Sequence, residues 1–166
     1  MNRTLANQIR PYALAGAALL ALGLSASPVA AGEDRPYGGR CSTIVTPISE
    51  TQLQIAGNCN LTHLGAASAD TLQTVTPMGQ PMMGMLMLHI ENDTTYRAAN
   101  GDLLTMKFSG HGHLDLATGH VHYMGVESFT GGTGRFAEAS GMASVEGTAS
   151  VATNVGQFTS RGRISY

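Results

Sequence analysis

The stretch HGHLDLATGHVHY, residues 111–123, indicates the fold of this chain most directly. Residues of different polarity alternate on both sides of its centre, which is the two-residue period of a β-strand. The central DLATG segment suits a hairpin loop, because Asp115 can accept hydrogen bonds from turn amides and Gly119 can take a positive φ. The stretch therefore predicts two antiparallel strands joined by a short turn.

Similar alternation continues through the rest of the chain, and no helical period of useful length interrupts it. Short alternating segments are separated by turn residues, which include Asn92-Asp93, Asn100-Gly101 and Gly131-Gly132. About eight strands at this spacing fit a barrel or a sandwich. A barrel is favoured because an open sheet of this size would expose its edges. We therefore predict an all-β fold, an eight-stranded antiparallel β-barrel in a single domain.

The composition supports a small β-rich protein and argues against two classes. The 166 residues are 43% hydrophobic and 5% aromatic, with 21 glycines and no tryptophan. Glycine is costly inside helices, so its abundance favours strands and tight turns. Few aromatic residues argue against an outer-membrane barrel, which needs aromatic girdles at both interfaces. Nine basic against eleven acidic residues leave no clustered positive charge for phosphates, so no nucleic-acid partner is predicted.

Residues 1–31 have the organisation of a secretory signal peptide. Arg3 and Arg10 provide a positive start, an apolar run of 13 residues follows from Tyr12, and small residues offer a cleavage site at the end. The run is shorter than the ~20 residues needed to span a bilayer as a helix, although an uncleaved anchor is the alternative. Cleavage leaves residues 32–166, with eleven acids, seven bases and a net charge of −4. We expect a secreted or periplasmic protein with no membrane span after cleavage.

The two cysteines of an exported protein are expected to pair with each other. Cys41 and Cys59 flank a predicted hairpin, and if its turn is centred on Glu50, residues whose numbers add up to 100 face each other. The two cysteines then lie directly opposite one another. A disulfide that closes a loop of this size stabilises a domain by about 3 kcal/mol. Two buried free thiols are the alternative.

The predicted hairpin at residues 111–123 also groups four histidines on one face of the sheet: His111, His113, His120 and His122. Imidazole is a common ligand of Zn²⁺ and Cu²⁺, so these four are candidate metal ligands. The alternative is that the histidines lie on a solvated face while the apolar side chains point inward: Leu114, Val121 and Tyr123.

A methionine-rich stretch, PMGQPMMGMLMLH at residues 77–89, contains five of the nine methionines. Thioethers are soft ligands, so an exported loop of this kind can hold Cu(I). The alternative is a strand buried on both faces, because Met83, Met85 and Met87 alternate with glycine and leucine. A flexible methionine-lined cavity for an apolar ligand lies between these two interpretations.

The segment FTGGTGRFAEASG, residues 129–141, resembles the GGTGRF-x-x-A-x-G segment of dirigent proteins and of small secreted bacterial proteins grouped with the allene oxide cyclase barrel. Residues 62–65 and 98–102 resemble other recurring segments of that bacterial group. The resemblance implies an allene oxide cyclase/dirigent-like β-barrel domain over residues 32–166, with a central cavity. It also implies a homo-oligomer, because the plant members often assemble as trimers or dimers.

The sequence favours binding over catalysis. Plant allene oxide cyclases isomerise an allene oxide fatty acid and dirigents steer radical coupling, but their acidic cavity residues find no aligned counterpart here, so no catalytic residue is assigned. We expect a barrel that binds a small apolar ligand or a partner at its mouth, without a cofactor. One alternative is a cofactor-free cyclase or isomerase acting on a lipid-derived or phenolic substrate, which a perturbed pKa in the cavity would favour. The other is a periplasmic zinc or copper protein that uses the histidines of the hairpin.

Overall fold

The computed structural model describes residues 32–166, and the predicted signal peptide, residues 1–31, lies outside the described residues. The described chain folds into eight strands and one short 3₁₀ helix, in this order: β1 Arg35–Pro47, β2 Gln52–Leu61, β3 Gly65–Pro77, β4 Met85–Ala98, β5 Leu103–Asp115, β6 His120–Gly132, the 3₁₀ helix Gly134–Phe136, β7 Ser140–Ser150 and β8 Val155–Ser165. Consecutive strands pair antiparallel, and β8 pairs with β1, so the sheet is a closed barrel. The predicted single-domain, eight-stranded antiparallel β-barrel is confirmed.

Side chains alternate between the inside and the outside of this barrel, as the two-residue period requires. In β4, Leu88, Ile90 and Tyr96 point inward and are buried, whereas residues between them, such as Glu91, are exposed. An eight-stranded barrel is just wide enough for side chains to fill it or for one small ligand to enter. The side chains at each level of the interior therefore determine whether space remains there for a ligand.

The hairpin of β5 and β6 has the predicted register. His113 lies directly opposite His122. In the turn, Asp115 Oδ1 accepts a hydrogen bond of 2.8 Å from the Ala117 amide, and Gly119 has a φ of 70°. Both features match the hairpin predicted from the sequence.

The predicted disulfide is confirmed as well. Cys41 pairs with Cys59 across β1 and β2, the two sulfurs are bonded, and both side chains are buried inside the barrel. Disulfides are typical of proteins in oxidising compartments outside the cytosol. Over residues 32–166, the structure has no helix that is both long and apolar enough to cross a membrane.

The predicted turn at Asn92-Asp93 is wrong, because β4 runs through it without a break. Asn92 Nδ2 donates to Gln73 Oε1 on β3 at 3.4 Å, and the Asp93 carboxylate lies 3.1 Å from Lys107 Nζ on β5. Neighbouring strands therefore supply partners for both side chains, and pairing within the sheet overrides their preference for turns.

The interpretation of the methionine-rich stretch as a strand buried on both faces is also wrong. Met85 and Met87 point outward and are 40% and 48% exposed, whereas Leu88 points inward and is buried. Met83 lies in the loop before β4, where its side chain is fully exposed. A single closed sheet has only one buried face, so alternate residues of this strand must face outward.

The segment that carries the family resemblance closes one end of the barrel. The 3₁₀ helix Gly134–Phe136 places Phe136 in the core, where it is completely buried. The Tyr166 ring packs edge-on at a centroid distance of 4.9 Å, and the Arg135 guanidinium lies 4.9 Å from the centre of the Phe136 ring. We call this the closed end. At the opposite end, the loops β1–β2, β3–β4, β5–β6 and β7–β8 surround an opening that we call the mouth.

Candidate ligand cavity

A cavity of about 310 Å³ lies inside the mouth of the barrel. Its wall consists mainly of aliphatic side chains from β1 to β7: Val45, Leu53, Ile55, Val75, Leu86, Leu88, Ile90, Leu114, Val121 and Ala149. Ligand pockets are usually apolar and measure about 300–1,000 Å³, so this one lies at the small end of that range. The cavity has the size and chemistry to hold one small apolar molecule.

The cavity wall includes a small number of polar groups. Thr43, Gln73 and Tyr123 lie on strands, and Glu50 and Asn154 lie in loops at the mouth. Such scattered polar groups can orient a ligand whose remaining surface is apolar.

Tyr123 is the β6 residue that lies deepest in this wall. It faces Gly147 on β7, and a β-carbon at position 147 would overlap the Tyr123 ring. Phe108 packs edge-on against the same ring, at a centroid distance of 6.3 Å. Tyr123 is thus held between its neighbours at the deep end of the cavity.

Exposed apolar side chains surround the mouth. All four loops or their flanking residues contribute, with Ile48, Met78, Met82, Met83, Leu116 and Val151 each between 47% and fully exposed. Exposed apolar patches on soluble proteins commonly mark a binding site. An apolar ligand entering the cavity would contact this rim first.

A buried acid, Glu127, lies deeper in the barrel than Tyr123. Its side chain is 1% exposed, and Oε1 accepts a hydrogen bond of 3.0 Å from the Tyr96 hydroxyl. Burial raises the pKa of Glu127 to about 7, against the opposing effect of that hydrogen bond. At neutral pH both the protonated and the ionised form of this carboxyl group are therefore populated.

Other polar groups share this level of the interior. Among residues 32–166, three buried polar atoms lack a hydrogen-bond partner: Tyr37 Oη, Glu127 Oε2 and Ser160 Oγ. Burial first, and then the charge of Glu127, raise the pKa values of Tyr37, Tyr96 and Tyr123 above the usual range for tyrosine. We call Tyr37, Tyr96, Glu127 and Ser160 the polar layer. It separates the cavity from the apolar closed end.

Glu127 is not among the residues predicted from the sequence, although the sequence contains a signal for it. Val121 and Tyr123 were expected to point inward in one of the two interpretations of the hairpin, and the structure confirms that orientation. Continuing the same two-residue period along β6 places Glu127 inside the barrel. The other inward-facing positions in this part of β6 are apolar or glycine. An acidic residue among them is the signal that identifies Glu127.

The four candidate metal ligands share one face of the sheet, as predicted, and this face is the outer wall, as in the alternative interpretation. The rings of His113 and His122 are stacked with centroids 5.6 Å apart, whereas His111 pairs with His89 on β4, 5.4 Å away. His120 is exposed at the start of β6. In the described part of the chain, no group of three or more His, Cys, Asp or Glu side chains is placed to hold a metal ion. The four histidines are therefore not brought together as one ligand set.

Comparison of the chain with protein-family models, curated proteins and solved structures gave no match. The resemblance to the allene oxide cyclase and dirigent barrels therefore stays a prediction.

Proposed function

We propose that this protein is an exported barrel of the allene oxide cyclase/dirigent-like kind that binds one small apolar molecule in its mouth. The observation that supports this function most strongly is the cavity of about 310 Å³ with its aliphatic wall. Burying apolar ligand surface there contributes about 25 cal/mol for each Å² removed from water. The exposed apolar rim gives such a ligand a route of entry.

Export is supported by two independent features. The Cys41–Cys59 disulfide suits an oxidising compartment. Residues 1–31 carry the charge and hydropathy pattern of a cleaved leader. The ligand is therefore a molecule met in the periplasm or outside the cell.

Native mass spectrometry of protein purified from its own host tests the proposal. Ala149→Phe places a ring inside the cavity, and Ala56→Phe makes the same change on the exposed outer wall of β2. The wild type and Ala56→Phe should carry one small molecule of the same mass, and Ala149→Phe should not. Equal recovery of the molecule with Ala149→Phe, or a bare chain in all three samples, would contradict the proposal.

An acid–base enzyme is the second candidate function, and Glu127 favours it. A carboxyl group with a pKa of about 7 is suited to take up and release a proton at neutral pH. Because Glu127 is buried below the cavity, it would act on a substrate only if Tyr123 and its neighbours moved aside. A cofactor-free isomerase or cyclase of a lipid-derived or phenolic substrate fits this chemistry.

Solvent deuterium separates the two functions. An isomerase that removes and returns a proton in D₂O can leave deuterium in its product. Lipid and phenolic extracts of the host are incubated with the wild type, with Glu127→Gln and with Glu138→Gln, an exposed control. Deuterium incorporation or isomer formation with the wild type and Glu138→Gln, but not with Glu127→Gln, would support the enzyme function. Unchanged extracts in every sample would contradict the enzyme function.

A further inference from the structure

Two rows of metal-binding side chains cross the outer wall of β4, β5 and β6. The Met87 row contains Met87, His113 and His122, and the Met124 row contains His89, His111 and Met124. In each row, the β5 histidine is the direct pairing partner of the other two residues. Each row therefore places two imidazoles and one thioether side by side on the outside of the barrel.

The distances within each row suit a shared ion. The His113 and His122 rings are stacked at 13° to each other, so one ring must turn before a nitrogen of each points to the same ion. The ring centroids lie 5.6 Å apart for His113 and His122, and 5.4 Å apart for His89 and His111. A metal–imidazole bond is about 2 Å long, so two rings on one three-coordinate ion have centroids about 5–5.5 Å apart. Directly paired residues on neighbouring strands have β-carbons about 5 Å apart, which places the flexible methionine side chain beside the β5 histidine of its row.

We infer that each row binds one Cu(I) ion through its two imidazoles and its thioether. Thioether sulfur is a soft ligand that selects Cu(I), and imidazole also suits copper. Structural zinc sites almost always have four protein ligands, and neither row supplies four. This inference concerns the outer wall, so it is independent of the apolar cavity on the inside.

The surroundings of the rows are those of a partly sheltered site. A hollow of about 230 Å³ on the outer wall is lined by residues of both rows together with Glu146 of β7. Glu91 Oε1 lies 3.6 Å from His89 Nε2. Carboxylates beside ligating histidines hold the ring in position in many metal sites.

Competition for Cu(I) tests the inference on the purified protein. Cu(I) is kept reduced with ascorbate and titrated against bicinchoninate, whose copper complex is coloured. The wild type should remove two equivalents of Cu(I) per chain from the bicinchoninate complex. Met87→Leu with His113→Ala removes two ligands of the first row, and Met124→Leu with His111→Ala removes two ligands of the second. Each double variant should withdraw one equivalent.

Single variants distinguish these rows from other ligand sets. Met87→Leu should lower the Cu(I) affinity of one of the two sites by about tenfold or more. Loss of even an indirect partner of a metal site commonly lowers metal affinity by that factor. Met142→Leu, an exposed methionine of β7, and His120→Ala should leave both equivalents unchanged. The inference is overturned if the wild type withdraws no copper, if Met87→Leu has no effect, or if His120→Ala weakens binding as much as the row variants do. Far-ultraviolet circular dichroism on every variant verifies that the barrel is intact.

Discussion

The two ends of this barrel are built from the same alternating strands but differ in what fills them. At the closed end, Phe136, Leu104 and Ile164 are completely buried and leave no exposed side-chain surface. At the mouth, aliphatic side chains surround about 310 Å³ of space, and the loops expose methionine, isoleucine and leucine. The closed end is therefore packed with side chains, whereas the mouth encloses open space.

The polar layer lies where these two regions meet. A buried carboxyl group and three buried hydroxyl groups replace apolar packing at this level, although such groups destabilise a fold when they lack partners. A barrel that needed only stability would be better filled with apolar side chains. Packing alone therefore does not explain a buried acid at this level of the barrel.

The largest predicted effect is at the closed end. Phe136→Ala removes a completely buried ring and should lower the free energy of unfolding by about 3–5 kcal/mol. Leu86→Ala, in the wall of the cavity, should cost much less, because Leu86 is only half-buried beside space that is already open. Urea unfolding at one pH compares the two variants. Equal losses would show that the mouth is packed as tightly as the closed end.

A smaller effect is expected from titration of the polar layer. Because the pKa of Glu127 is raised from 4.5 to about 7 by folding, the folded state keeps a proton that the unfolded chain releases. This contribution to stability is complete below pH 4.5 and is lost as the pH rises to about 7, by up to about 3 kcal/mol. Urea unfolding between pH 4.5 and 8 measures it.

Glu127→Gln is the matched variant for that titration. It keeps the shape of the side chain and an acceptor for Tyr96, but it does not ionise, so this part of the pH dependence should disappear. Glu138→Gln, an exposed control, should retain the full slope. The same slope in Glu127→Gln and the wild type would mean that Glu127 ionises as freely in the folded protein as in the unfolded chain.

The smallest effect on stability is predicted for the deep end of the cavity. Gly147→Ala introduces a β-carbon that would overlap the Tyr123 ring and lie 2.8 Å from the Gln157 carbonyl oxygen, so the ring and the β8 backbone must shift. Overpacking of this kind costs about 1–3 kcal/mol. Near-ultraviolet circular dichroism of the tyrosines should change in Gly147→Ala and stay unchanged in Ala143→Gly, at a buried position of the same strand. An unchanged signal in Gly147→Ala would show that Tyr123 is not held against β7.

Local patterns explain why so much of the fold was predictable. The alternation in residues 111–123, the Asp115 turn and the opposition of Cys41 and Cys59 all depend on residues close together in the chain. The turn prediction at Asn92-Asp93 failed because its decisive partners, Gln73 and Lys107, lie on other strands. Pairing partners of this kind are not visible in a local window of sequence.

The candidate site was predictable only in part for the same reason. The sequence offered inward-pointing Val121 and Tyr123, but the other walls of the cavity come from strands that meet only when the barrel closes. The polar layer likewise combines residues from β1, β4, β6 and β8. Whether a buried polar atom finds a hydrogen-bond partner depends on packing between these strands, so the spacing of residues in the sequence does not reveal it.

Binding of a fluorescent apolar probe tests whether the mouth of this barrel is a binding site. N-phenyl-1-naphthylamine brightens when it leaves water, so its titration reports occupation of an apolar cavity. We expect saturable one-to-one binding to the wild type and to Ala56→Phe, and loss of that binding in Ala149→Phe, whose added ring occupies the cavity. Unchanged binding in Ala149→Phe, or no saturable binding to the wild type, would contradict the claim that the mouth of this barrel is a binding site.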